Sequence, residues 1–277
     1  MIKLMLITNN PEMAQFAVES GVNRIFVDLE VLGKQERQGH LDTLISRHSI
    51  QDVQRVRLAI PGSELLVRLN PYNAGTDQEI EAAISAGADL LMLPMFTRVQ
   101  EVRDFCERVN GRAGVIPLVE TLEAMATLPE LVDVSGVAEV YIGLNDLHLC
   151  LGLDFMFELL ANGMVESMAK IIKAANLPFG FGGIARVGEG LLSAEMILAE
   201  HMRLGSSSVI LSRTFHRQSQ EVSELQAHMD FKEEICKLRE AEESFKQRTE
   251  EAAQRDQRAV VDIVAAIAQN IKRRRVK

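Results

Sequence analysis

Eight short, mostly continuous apolar runs alternate with helix-compatible segments between Lys3 and Ser212, and no other feature of the sequence restricts the fold so strongly. The runs are Lys3 to Thr8, Arg24 to Glu30, Glu64 to Asn70, Asp89 to Met95, Gly114 to Glu120, Glu139 to Leu144, Phe179 to Ile184 and Ser207 to Ser212. Strands that are apolar on both faces belong in a parallel sheet covered on both sides, and their alternation with helices implies βα units. Eight such units within residues 1–215 match the small end of the (β/α)8 barrels. An open doubly wound sheet is the competing architecture. Its phosphate-binding glycines should follow the first strand, where this chain reads Thr8-Asn9-Asn10-Pro11. The predicted fold is therefore an α/β TIM barrel over residues 1–215. Two phrases, Glu19-Ser20-Gly21-Val22-Asn23-Arg24-Ile25 and Ser85-Ala86-Gly87-Ala88-Asp89-Leu90-Leu91, suit its lower rim, because in each a helix stops at a glycine and a strand starts at once.

The chain changes character near Phe215. All 18 glycines and all 7 prolines precede residue 206, and none of either occurs from Arg217 onward. Residues 216–277 are predicted to form a C-terminal helical extension. Val222, Leu225, Met229, Leu238, Ala241 and Phe245 recur at three-then-four spacing with charges between them, an amphipathic face that requires a partner. A second helix, from Ala259 to Ile271, ends in Lys272-Arg273-Arg274-Arg275. Cations at that position are read as complements of the helix dipole rather than as a site for RNA or anionic lipid.

Charge excludes some functions. With 30 basic and 39 acidic residues the net charge is -9, and the barrel portion carries all of the excess, which repels nucleic acid and anionic membrane. No nucleic-acid or membrane partner is expected. Cys106, Cys150 and Cys236 are odd in number and lack metal-ligand spacing, so they are read as reduced thiols of an intracellular protein. The apolar run at Met1 to Ile7 is too short for a signal peptide, and no stretch reaches the ~18 apolar residues of a membrane span, so a cytoplasmic location is expected.

In a TIM barrel the chemistry sits where strands end. Strand two ends in Asp28-Leu29-Glu30, strand three in Arg68-Leu69-Asn70, strand four in Pro94, strand five in Glu120-Thr121 and strand six in Gly143-Leu144-Asn145-Asp146. Residues two apart on a strand share a face, so Asp28 and Glu30 point the same way. Glu120 and Asp146, with Arg68 beside them, have the makings of a divalent-cation site with a guanidinium for an anionic substrate group. Carboxylates without histidine or cysteine suit Mg²⁺ or Mn²⁺ better than zinc.

These phrases carry a resemblance. Phe26-Val27-Asp28-Leu29-Glu30, Leu66-Val67-Arg68-Leu69-Asn70, Leu91-Met92-Leu93-Pro94, Pro117-Leu118-Val119-Glu120-Thr121 and Gly143-Leu144-Asn145-Asp146-Leu147, then Leu151-Gly152, are ordered along the chain. In that order the sequence resembles the family of citrate lyase β-subunits and metal-dependent 2-oxo-acid aldolases, part of the phosphoenolpyruvate/pyruvate barrel superfamily. The resemblance implies a metal-held enolate, with Glu120 and Asp146 as metal ligands and Arg68 gripping the 2-oxo acid. The backbone amides of Leu144, Asn145 and Asp146 would receive its carboxylate as well. It also implies that a C-terminal helix packs on a neighbouring subunit, hence a homo-oligomer, a trimer or hexamer.

Two positions depart from the family. The aldolase branch is expected to carry a histidine directly after the acidic pair, but Glu30 is followed by Val31-Leu32-Gly33. His40 and His48 lie further along the same loop, and either could swing to the mouth. His40 is the first choice for proton transfer because a histidine titrates near neutrality, with Glu30 or Asp28 as substitutes. Where the lyase branch shows a lysine after the strand-four proline, this chain has Met95, which weakens a coenzyme-A-thioester reading.

Other features are read as structural. The glycines of Phe179-Gly180-Phe181-Gly182-Gly183-Ile184-Ala185-Arg186 are expected to make room rather than to cradle phosphate, and His148 and Cys150 to pack or to support the ligands from behind. Arg213, after the last strand, is read either as reaching the mouth or as binding carbonyls at its rim, with no catalytic role. The expected function is a Mg²⁺- or Mn²⁺-dependent carbon-carbon lyase that makes or breaks an aldol bond between a 2-oxo acid such as pyruvate and an aldehyde. The rivals are a lyase of 3-hydroxyacyl-coenzyme A thioesters and a non-catalytic barrel whose helical tail recruits a partner.

Overall fold

Each predicted apolar run contains a strand. The computed structural model describes residues 1–33 and 48–275. The strands are β1 (Lys3–Ile7), β2 (Arg24–Asp28), β3 (Glu64–Arg68), β4 (Leu90–Leu93), β5 (Gly114–Val119), β6 (Val140–Ile142), β7 (Phe179–Ile184) and β8 (Ser208–Leu211). They pair in parallel in chain order and β8 closes on β1, which is the (β/α)8 barrel expected from the alternation.

Among the described residues the helices are α1 (Pro11–Glu19), α2 (Ile50–Ala59), α3 (Thr76–Ser85), α4 (Val99–Val109), α5 (Leu122–Ala126), α6 (Leu128–Leu131), α7 (Leu144–Cys150), α8 (Glu158–Ala161), α9 (Met164–Ala174), α10 (Ala194–Leu204), α11 (Val222–His228), α12 (Phe231–Lys246) and α13 (Glu250–Arg275). Side chains at their starts fix the entry of several. Asn10 accepts from the amides of Glu12 and Met13 ahead of Pro11 in α1, and Ser49 and Asp52 form a reciprocal capping box on α2. None of these helices is long and apolar enough to cross a membrane.

Strand alternation sorts the barrel interior into layers. Met5, Phe26, Leu66, Met92, Ile116 and Tyr141 fill the middle. Two positions towards the strand starts, Arg24 is buried between Glu64, at 2.8 Å from Nε, and Glu139, at 2.9 Å from Nη2. Lys3 joins Glu64 at 2.5 Å, and the Ser208 hydroxyl donates to Glu139. This ionic layer plugs the lower end. Two positions towards the strand ends, the same alternation brings Asp28 and Arg68 to the opposite mouth, and Glu120, four positions beyond Ile116, joins them there. The apolar outer faces of the strands meet the helices in a single continuous core.

The predicted glycine room in β7 is used by neighbours: a Cβ on Gly180 would overlap the Ser208 hydroxyl and the Tyr141 ring. The tail folds back on the barrel. α12 packs on α10, α13 packs on α8 and α10, and Leu225, Phe231, Ile235, Leu238, Val260 and Val264 are buried. Buried Glu242 accepts the Ile2 amide at 2.8 Å and pairs with Arg239 at 2.8 Å, whose guanidinium donates to the Ile2 carbonyl at 2.7 Å. The apolar stripe expected to meet a neighbouring subunit is thus largely covered by the chain's own barrel. At the end of α13, Arg275 pairs with Asp154 at 2.8 Å.

Candidate active site

β2 and β3 pair with Asp28 opposite Arg68, and both side chains turn into the mouth. Arg68 presents its fork to Asp28, Nε to Oδ1 and Nη2 to Oδ2, both at 2.8 Å. Its Nη2 also lies 3.3 Å from Glu30 Oε2, so the acidic pair shares one guanidinium. Asp28 Oδ1 accepts the Glu30 amide at 3.2 Å, which turns the chain and brings the second carboxylate back towards the first. Asn70, two positions beyond Arg68, holds the following loop by accepting the amides of Val31 at 2.9 Å and Leu32 at 3.0 Å. The two-pronged grip of Arg68 is made on Asp28.

Glu120 leaves β5 and lies against Gly143, where a Cβ would stand 2.8 Å from Glu120 Cβ and 2.9 Å from Oε2. Only glycine leaves room for the carboxylate there. Met95 donates its amide to Glu120 Oε1 at 3.1 Å from a left-handed conformation, φ 53°, that a side-chain-bearing residue rarely adopts. Burial pushes the Glu120 carboxyl up to about 8, with Arg68 pulling it down and the negative charges of Asp146 and Glu30 adding to the rise. Asp146 stands in the first turn of α7, close enough for its charge to act on Glu120. Arg213, just beyond β8, is held below its ordinary value by burial and by Arg68, while Asp28 opposes the shift. The mouth therefore gathers four carboxylates and two guanidiniums.

The structure brings together Asp28, Glu30, Arg68, Glu120 and Asp146 as the strand ends implied. His40 lies outside the described residues. Leu144 and Asn145 open α7, which no side chain caps, and the Leu144 side chain is buried. His148 Nδ1 contacts the Leu144 carbonyl at 3.2 Å and Cys150 Sγ the Glu120 carbonyl at 3.9 Å, both in packing roles. Sequence reasoning missed the Met95 amide and left the places of Arg213 and His48 open. Arg213 was signalled only by its place after the last strand, the Met95 amide by nothing in its apolar side chain, and the contact of His48 with the Asp28 amide by nothing local. Among the described residues no three histidine, cysteine, aspartate or glutamate side chains are grouped as a metal cage would require.

Residues 2–180, a span that includes all five of these mouth residues, match the family model described as HpcH/HpaI aldolase/citrate lyase. The chain belongs to that family. The 4-hydroxy-2-oxo-heptane-1,7-dioate aldolase of Escherichia coli is 38% identical over 56 residues, 20% of this chain and 21% of that one. The match thus spans about a fifth of the curated relative's length. A family protein of Burkholderia cenocepacia J2315 superposes with a TM-score of 0.60 at 15% identity, covering 82% of this chain and 95% of that one. The citrate synthase SbnG gives 0.59 at 15% identity, covering 82% and 89%. Such distant likenesses show the barrel fold. Membership of the HpcH/HpaI family supports lyase chemistry of the aldolase and citrate lyase type.

Proposed function

We propose that the chain is a divalent-metal-dependent carbon-carbon lyase that makes or breaks an aldol bond to pyruvate or a related 2-oxo acid. One observation carries this reading: four carboxylates crowd one mouth with two guanidiniums, and among them Glu120 is pushed up to about 8 by burial first and by the charges of Asp146 and Glu30 besides. Negative charge in excess of its partners is what a cation site looks like before the cation is counted. As hard oxygen donors, Glu120 and Asp146 are the residues that would hold Mg²⁺ or Mn²⁺. A cation held there supplies positive charge for the enolate oxygen that forms when a carbon-carbon bond beside a carbonyl breaks.

The chain's own residues supply orientation and proton transfer. Arg68, fixed by Asp28, turns its outer N–H groups to the substrate carboxylate and shares the charge that develops. Asp28 uses both oxygens on Arg68, so within the acidic pair Glu30, which touches Arg68 through one oxygen, is the group for proton transfer at the substrate carbon. The Met95 amide and Gly143 hold the Glu120 carboxylate in one place. Aldol addition of a pyruvate enolate to an aldehyde gives a 4-hydroxy-2-oxo acid, the compound class in the name of the Escherichia coli relative.

The test is exchange of pyruvate methyl protons for deuterium, followed by NMR with and without Mn²⁺, with oxalate as the competing enolate mimic. Metal-dependent exchange blocked by oxalate is expected, followed by condensation with an aldehyde. Silence with 2-oxo acids and turnover of malyl or citramalyl thioesters would transfer the chain to citrate lyase chemistry. Silence in both would end the enzymatic reading.

A further inference from the structure

His48 reaches the mouth through the main chain. The register of β1 with β2 sets Ile7 beside Phe26, whose carbonyl accepts from the Thr8 amide at 3.1 Å. The next rung would serve the amide of Asp28, but β1 has ended and the chain is already turning into α1 at its Asn10 cap. The Asp28 N–H donates instead to His48 Nδ1 at 3.0 Å. The ring is delivered there by the capping box of α2, whose first member, Ser49, follows it directly; the Ser49 amide donates to Asp52 Oδ2 at 2.7 Å. A ring nitrogen that accepts an amide proton carries none of its own, so the neutral imidazole holds its proton on Nε2. At Nε2 it is a donor, the wrong polarity for a general base.

We propose that His48 is a positioning residue whose Nδ1 replaces the missing β1 rung at Asp28 and so holds Asp28 square to Arg68. The relay runs from the ring to the Asp28 amide, from the Asp28 carboxylate to the Arg68 fork, and from Arg68 to the substrate carboxylate. Its last link rests on the function proposed above. The earlier links are contacts of 3.0, 2.8 and 2.8 Å within one strand pair and its flank. Removal of the acceptor leaves a main-chain donor unpaired where no neighbouring strand can answer it, and the end of β2 is then free to shift.

The geometry makes the role separable from acid-base catalysis. Asparagine places its side-chain oxygen where Nδ1 stands, whereas glutamine reaches the place of Nε2. His48→Ala and His48→Gln should slow metal-dependent enolisation of pyruvate roughly ten- to a hundredfold, and His48→Asn should restore it to within about threefold. In the ¹⁵N-labelled full chain, His48 should show a proton on Nε2 and none on Nδ1. The Arg68 Nε–H resonance should move in the alanine and glutamine variants and stay in place in the asparagine variant. A proton on Nδ1, an asparagine variant as impaired as alanine, or an Arg68 resonance indifferent to all three substitutions would each overturn the inference. If the wild-type chain does not enolise pyruvate, the functional reading falls by itself, and the Arg68 resonance still decides the positioning role.

Discussion

At the lower end of the barrel Arg24 lies between Glu64 and Glu139, with Lys3 completing the group; at the upper end Arg68 lies between Asp28 and Glu30, with Glu120 and Asp146 beyond. The same two strands build both clusters with the charges exchanged, since β2 and β3 set Arg24 opposite Glu64 and Asp28 opposite Arg68. The lower cluster is balanced, two cations against two carboxylates. Glu64 is accordingly held below its ordinary value by Lys3 and Arg24 although burial opposes them. The upper cluster is overloaded, and Glu120 moves the other way. Unequal balance, with Glu120 buried where Glu64 is half-exposed, separates a plug, which stabilises the barrel, from a site, which waits for a partner.

The largest expected effect removes the overload. Glu120→Gln should cut metal-dependent enolisation roughly a thousandfold, at the upper range of what single electrostatic groups contribute, and Asp146→Asn should do the same. Glu120 also predicts a pH signature of the metal-free protein. Its folded carboxyl titrates at about 8 against an ordinary 4.5, so the folded state binds the proton more tightly than the unfolded one. Its contribution to stability is therefore fully present below pH 4.5 and lost as pH rises to about 8. The difference between wild type and Glu120→Gln in urea melts should slope by at most about 1.4 kcal/mol per pH unit across that window. Saturating Mn²⁺ should stabilise the wild type at the upper end of the window and leave the variant unmoved; equal melts at every pH would show that Glu120 bears no excess charge.

Glu139→Ala strikes the balanced cluster. It takes one carboxylate from a guanidinium that is only 2% exposed, and loss of one partner from a buried pair costs about 3–5 kcal/mol. Urea melts should show that loss with the Mn²⁺ response intact. Arg68→Lys comes next, with a roughly ten- to hundredfold fall in turnover and a raised KM for pyruvate, because an ammonium cannot meet Asp28 with two parallel N–H groups. Steady-state kinetics with and without added Mn²⁺ would show whether the loss lies in substrate binding, as expected, or in the metal.

The barrel and most of its mouth could be read from sequence because both follow from period two. Apolar runs of strand length that end in Asp28, Arg68 or Glu120 locate strands and chemistry together. The sixth run misled at its end, since Leu144 is apolar but belongs to the first turn of α7 rather than to β6. His48 could be read as able to reach the mouth but not as the partner of Asp28, because it meets Asp28 through an amide, and main-chain partners leave no mark on residue choice at the other end. Met95 adopts a glycine-like conformation without being glycine. The stripe of the tail was legible as apolar spacing, but spacing names no partner, and the barrel itself covers most of it.

Between the two clusters lies the layer that decides whether they are independent. Tyr141, in that layer, spans the place where β7 and β8 shift register between Gly180 and Gly183, donating to the Gly182 carbonyl at 2.7 Å and accepting from the Ile210 amide at 3.1 Å. Its hydroxyl replaces a rung that the irregular ladder cannot make. Tyr141→Phe keeps the ring but orphans both main-chain groups, so a loss of roughly 1–3 kcal/mol is expected in urea melts, the smallest effect in the series. The Mn²⁺ response should persist, because Glu120 is placed by the end of β5, the Met95 amide and Gly143 rather than by that seam. Were the metal response to vanish with the hydroxyl, the layer would be transmitting strain from seam to mouth, and plug and site would have to be treated as one charge system.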